Sequence, residues 1–283
     1  MFETGSVDST STNFTFGKGG NQGARGANTG GDFFVENILE ELDYPSEFYH
    51  DEENGKLYLY HNGTGAPPTK NVVAPLQQIL VNMSGTQWNP VKHIHLRDIT
   101  YTAAGATYME RHAVPSAGDW ALDRFSAVFL QGTESAVVDS CTFERLDGNA
   151  VMVSGYNRNA TVQQSDFNFL GGNAMVAWGF TNETETDPGR PNVKIAHAPD
   201  AGVDGTDGEH PRYTTILSNT VREVGLYEKQ SSFYVQAKTA QSIISGEVFL
   251  ISLFLSFSLS LFLSFSLCIS SWMTTVDSGA DIY

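Results

Sequence analysis

The sequence predicts an all-β protein wound as a right-handed parallel β-helix, and three observations carry that prediction. Segments of matching pattern recur with a period near 24 residues, within the range that marks stacked repeats. Each repeat holds short strand-like runs rich in Val, Ile, Phe and Thr, broken by Gly, Asn or Asp. No helix-length amphipathic pattern lies between them.

One set of repeats comprises residues 126–131 (SAVFLQ), 149–154 (NAVMVS), 173–178 (NAMVAW) and 232–237 (SFYVQA). A second comprises 94–101 (IHLRDITY), 136–143 (AVVDSCTF), 160–167 (ATVQQSDF) and 214–221 (TTILSNTV), with another copy beginning at 243. Phe143 and Phe167 lie 24 apart, as do Asn149 and Asn173. A propeller blade needs about 40 residues, so the period is too short for one. Coils stacked in parallel put like residues on like, which suits the matched positions. Asn149 and Asn173 then fall at one corner, their amides bonding along the stack at ~4.8 Å. Phe143 and Phe167 stack inside.

Four regions follow along the chain. Residues 1–32 are rich in Gly, Ser and Asn, with neither a signal-peptide core nor a phosphate-loop spacing, and 14–31 read as a flexible polar segment. Residues 33–70 predict a short lead-in helix over 36–42 and a hairpin over 43–60 turning at Asn54–Gly55. Residues 36–53 hold eight carboxylates and no Lys or Arg, which reads as a solvated face. Residues 71–248 are the coils, interrupted at 105–124 and 182–211; such insertions map to loops, which carry function more often than coils do.

Residues 249–283 form the fourth region. The stretch 248–269 carries no charge and is long enough to span a membrane. Within it SLFLSFSL occurs twice in succession, an alternation with the period of a strand. Ser, Leu and Phe all have codons made only of T and C. The tail therefore reads as translated intron or pyrimidine repeat, the other reading being a membrane anchor. A membrane is a partner only on that second reading.

The chain has 16 Lys+Arg against 32 Asp+Glu, a net charge of -16. That balance argues against nucleic acid as a partner. Two cysteines, Cys141 and Cys268, make no disulfide framework and no metal spacing. Five glycosylation sequons, at Asn13, Asn62, Asn82, Asn159 and Asn182, lean toward a secreted, extracellular protein.

Residues 36–60 (ENILEELDYPSEFYHDEENGKLYLY) resemble the segment that leads into the coils of right-handed β-helix proteins of the pectin-lyase-like superfamily. There a phrase of the form EN-x-x-EELD-x-P-G-E-W-Y precedes a hairpin; here Ser46 stands for the glycine and Phe48 for the tryptophan. The resemblance covers residues 33–248 and is specific for fold, weak for chemistry. It implies a carbohydrate-active protein that is lyase-like, glycoside-hydrolase-like or purely binding, with polysaccharide as partner. It also implies a fragment, truncated at the C-terminal end of its coils and lacking the leader of the intact secreted protein.

Hydrolysis of a glycoside needs two carboxylates; a lyase needs a base and a group to neutralise the sugar carboxylate. The densest polar constellation is YMERHAVPSAGDW at 108–120, which offers Glu110, His112 and Asp119 for catalysis and Arg111 and Trp120 for binding. The same loop can instead be pinned to the coils by Trp120 and Leu122, its charges merely solvated. Asp147, before Gly148 at a coil corner, is either catalytic or a turn former. Lys229 and Lys238 flank the strand at 232–237 and could share a groove with Gln236, Lys238 as base and the others as contacts, with Trp178 a further binding residue. No resident metal or cofactor is expected. Calcium is the one considered, at 200–209 (DAGVDGTDGE), where a solvated loop is the competing reading.

Overall fold

The computed structural model describes residues 2–8, 10, 13–19, 35–45, 47–61, 63, 73–113, 122–180, 184–187, 190–196, 206–228 and 230–250. These residues form an all-β structure dominated by three long parallel sheets. The first sheet carries Val81–Ser84, Ser126–Glu134, Asn149–Arg158, Met175–Trp178 and Tyr234–Ala237 side by side. The second carries His95–Arg97, Val137–Asp139, Thr161–Gln163, Thr215–Leu217 and Ile243–Ser245. The third carries Thr100–Thr102, Thr142–Leu146, Asp166–Leu170, Thr220–Arg222 and Val248–Leu250. From Ser126 onward the chain visits first, second and third sheet in the same cyclic order, each visit lying against the previous one.

Register follows the repeat. Val138 pairs with Val162 and Val162 with Ile216, while Phe143 pairs with Phe167 and Phe167 with Val221. Because the pairs are parallel and in step, apolar side chains of identical or similar kind lie over one another. The rings of Tyr101, Phe143 and Phe167 stack at centroid separations of 4.8 and 4.7 Å, the last two planes 1° apart. Both phenylalanines are fully buried. Each ring removes about 150–250 Å² from water, so this column is a large share of the core. Burial also pushes the Tyr101 phenol up to about 12, with Cys141 a smaller cause.

The corner between third and first sheets is sealed by amides. Asn149 Oδ1 accepts from both the backbone N–H and the Nδ2 of Asn173, each at 2.8 Å. Its own Nδ2 donates to the carbonyls of Asp123 and Phe125, at 3.0 and 2.9 Å. Asn173 Oδ1 in turn accepts from the N–H of Ser232 at 2.8 Å. Four successive passes of the chain are thereby joined. At the opposite end of the first sheet the long strands bend at Gly132 and Gly155, whose φ of +63° and +60° only glycine adopts without strain. Past that bend, short segments at Val91–Lys92 and Pro211–Arg212 add to the same strands.

Three sequence expectations need correction. Residues 36–42 do not form a helix: Leu39–Glu41 is a single 3-10 turn with no buried face. Asn37, at φ +61°, breaks the helical path, and its Oδ1 accepts from His50 N–H in the hairpin instead. The N-terminal segment is not uniformly loose, since Phe2–Asp8 pairs antiparallel with Asn13–Gly19. The second insertion contains a hairpin of its own, Thr184–Asp187 with Arg190–Ala196. The lead-in hairpin is present as Phe48–Asp51 and Lys56–Leu59, turning through Gly55 at φ +61°. Among the described residues no helix is long and apolar enough to cross a membrane. The tail from 251 lies outside the described residues.

Asn149→Ala leaves the N–H groups of Asn173 and two carbonyls without their buried partner. It should lower unfolding free energy by roughly 2–3 kcal/mol, measured by urea titration. A loss below about 0.5 kcal/mol, the range of an ordinary surface change, would show that the amide column is dispensable.

Candidate functional site

The asparagine column holds a corner where several loops meet. The first insertion arrives there first. Ala113 and Leu122 exchange backbone hydrogen bonds at 3.1 and 2.8 Å, and both pack on Phe129, Met152, Val176 and Val235, the outward stripe of the first sheet. Leu122 is thus a pin, and it sets where the polar residues on either side of it lie. Asp147 N–H donates to Ala104 O, and the N–H groups of Tyr227 and Glu228 both donate to Gly171 O. A Cβ on Gly171 would meet both the Asp147 backbone and the Tyr227 ring, so only glycine lets these loops close up.

The result is a half-buried carboxyl close enough to act on two aromatic rings that pack against each other. Tyr108 and Tyr227 lie 5.0 Å apart, tilted by 43°. Burial pushes the Asp147 carboxyl above its ordinary value. Burial likewise raises both phenols, with the charges of Asp147 and Glu36 adding to it. Glu36, exposed on the lead-in segment, is therefore near enough for its charge to act on the same two phenols. The carboxylate run was read as a solvated face; its first member is also part of this corner.

His112 sits beside them, its side chain 4% exposed. Its Nε2 lies 2.9 Å from Glu228 Oε1 and its Nδ1 2.8 Å from Glu110 O. Both partners accept and neither donates when Glu228 is ionised, so both ring nitrogens carry protons. Burial alone would lower the His112 pKa. The Glu228 hydrogen bond, the charges of Asp123 and Glu228 and the Glu110 carbonyl outweigh it and hold His112 above its ordinary value. An imidazolium held this way has no lone pair to offer as a base; its role is to fix Glu228. Glu110 turns its carboxylate elsewhere, to Lys18 Nζ at 2.8 Å.

Next along the chain, Arg124 crosses the outward stripe. Its NH1 donates to Ser154 Oγ and Trp178 O at 3.2 and 2.8 Å, and its NH2 to Gly179 O at 3.2 Å. The guanidinium lies 3.8 Å from the Trp178 ring centre and 4.9 Å from that of Phe180. Burial pulls it down to about 9 while Asp123 opposes the shift. Trp178, 1% exposed beneath this cation, presents no face to a sugar, and the expectation that it binds one is corrected.

Of the remaining residues singled out in the sequence, Gln236 is corrected too. It is in register with Ala177, which pairs with Val153, so it sits on the core-facing row of Tyr234–Ala237, although it is exposed. Lys238 lies beyond Ala237 with its backbone folded over Gly179, at the far end of the strands from Asp147. Arg111 is exposed next to His112. Asp119, Trp120 and Lys229 lie outside the described residues, as do 200–205 of the calcium candidate. Among the described residues no group of three or more His, Cys, Asp or Glu is placed to hold a metal ion.

The corner therefore holds His112 and Asp147, which the sequence singled out, with Glu110 contributing only its backbone carbonyl. It adds Glu36, Tyr108, Asp123, Tyr227 and Glu228, which it did not. Tyr108 opens the same YMERH run and was legible by proximity. Glu228 pairs with a histidine 116 residues away, and no spacing could show that.

No family model and no curated protein matches the chain. One solved structure, named "Glycoside hydrolase", matches with a TM-score of 0.51 at 20% identity, over 68% of this chain and 35% of that one. At that identity the likeness shows a shared fold, and the chain spans about a third of that protein's length.

The His112–Glu228 pair makes stability depend on pH in a definite direction. A raised folded-state pKa contributes fully below about 6.5, the unfolded value, and is lost as pH climbs through the folded one. Urea midpoints taken from pH 6 to pH 8 should fall for the wild type, and the fall should be smaller for His112→Gln. Parallel curves would remove the pair from the account.

Proposed function

We propose that this chain belongs to a right-handed parallel β-helix that binds or processes an extracellular polysaccharide, with the Tyr108–Asp147–Tyr227 corner as its site. The observation that carries the reading is the half-buried Asp147 carboxyl, kept toward its neutral form beside two tyrosine rings. Cyclic passage through three parallel sheets supports the coil, and parallel crossovers are right-handed in nearly all proteins. Tyrosine rings suit sugar faces, being apolar with a polar tip. Glycoside cleavage uses a carboxyl with a raised pKa to protonate the leaving oxygen, and burial shifts Asp147 in that direction. Glu36, whose charge acts on the same two phenols, is the candidate second carboxylate. The fold shared with a glycoside hydrolase supports carbohydrate processing, and His112, whose nitrogens are both engaged, favours hydrolysis over a lyase that needs a free base.

Binding without cleavage is the competing reading, and the closed His112–Glu228 pair favours it by spending two ionisable groups on architecture. The purified chain, assayed for new reducing ends on a polysaccharide panel, separates the two. Asp147→Asn should lower turnover by about 100-fold or more, the usual worth of a general acid, while leaving retention on the polymer intact. Full turnover in the variant would remove Asp147 as the acid. Retention with no turnover in the wild type would establish the binding reading, and neither retention nor turnover on any polymer would defeat both.

A further inference from the structure

The bend at Gly132 and Gly155 creates a narrow fourth face, and its charges are arranged unusually. Lys92 is in register with Glu134, Glu134 with Arg158, and Arg158 with Arg212, so one column of parallel strands carries +, −, +, +. Its first half is neutralised. Lys92 Nζ lies 2.7 Å from Glu134 Oε2, and Tyr156 Oη donates to Glu134 Oε1 at 2.7 Å. The second half is not. Arg158 donates to the carbonyls of Asn157, His210 and Gly208, and Arg212 NH2 donates to Gln241 Oε1 at 2.9 Å. Neither guanidinium makes an ion pair with a described carboxylate.

Like charges directly opposite one another on neighbouring strands destabilise a sheet. Burial pulls Arg158 below its ordinary value; Tyr156, Glu134 and Tyr213 oppose that shift, while the charge of Arg212 adds to it. Arg158 has a structural reason to be there, since it clamps the end of the second insertion through Gly208 and His210. Arg212 has one neutral partner, and its buried Nε has none. The guanidinium lies 5.4 Å from the ring of Tyr213, which is 44% exposed. A donor fork with unused hydrogens beside an open aromatic ring suits an oxyanion carried on a sugar.

We infer that Arg212, with the field of Arg158 and the ring of Tyr213, binds the carboxylate or sulfate groups of an acidic saccharide. The site lies at the end of the first-sheet strands opposite to Asp147, which would let one extended chain engage both ends of the sheet. The inference rests on the polysaccharide reading above and narrows it to an anionic polymer, against a chain whose overall charge is -16.

Affinity electrophoresis of the full chain in gels containing polygalacturonate, a sulfated galactan or neutral dextran tests this. Either acidic polymer should retard the wild type more strongly than dextran, and which one does so distinguishes carboxylate from sulfate. Arg212→Gln should weaken that retention about tenfold or more, the worth of a charge-assisted hydrogen bond, without lowering the melting temperature. Arg212→Lys should restore part of it. Equal retention of wild type and Arg212→Gln, or no preference for acidic polymers, would overturn the inference. Protection of the wild type but not Arg212→Gln by sodium sulfate, with no polymer bound, would keep the anion site and defeat the polysaccharide reading.

Discussion

The amide column at Asn149 and Asn173 is the constraint on which the rest of the structure depends. A parallel stack has strong cohesion within each sheet but must turn sharply between sheets, and each turn exposes backbone groups that its neighbours cannot pair. Asn149 meets three such groups from inside the stack, two carbonyls of the preceding pass and the backbone N–H of Asn173 on the following one, and it also accepts from the Asn173 side-chain amide. Once this corner is locked, the aromatic column of Tyr101, Phe143 and Phe167 has only one way to lie, ring over ring. The loops that carry Asp147, Tyr227 and His112 leave from that same corner, so their geometry inherits its rigidity.

Two electrostatic designs share the outward side of the first sheet. Near the corner, charges alternate along a line: Glu228, His112, Asp123, Arg124, each opposite in sign to the next. That alternation lets four ionisable groups sit in or near the interior without a net buried charge. Past the glycine bend the alternation fails at Arg158 and Arg212. The contrast between the two is informative, because the same chain shows that it can neutralise a column when folding alone is at stake.

Much of this was legible from the repeat. The matched segments at 126, 149, 173 and 232 align in the first sheet, and Asn149 and Asn173 meet as their spacing implies. Periodicity works here because each coil is templated by the last, so the sequence records its neighbours at a fixed offset. It failed where that offset is broken. The pairing of His112 with Glu228 runs from one insertion to a distant turn, and Glu36 reaches the site from outside the coils altogether. Gln236 was misread for a subtler reason: in a strand facing the core on alternate residues, one position decides inside from outside. Trp178 was misread because an arginine from another loop covers it, and no local pattern announces that cover.

The in-step register has a consequence for how such a chain can change over generations. Val138, Val162 and Ile216 occupy equivalent sites on successive passes, as do Phe143, Phe167 and Val221. A duplication or deletion of one whole pass leaves every surviving residue above and below a residue of its own kind. A shift of a single residue within a pass turns its core side chains outward. Length is thus free to vary in whole units while the interior of each unit is held nearly fixed, and novelty is confined to the corners, where the polar loops already are.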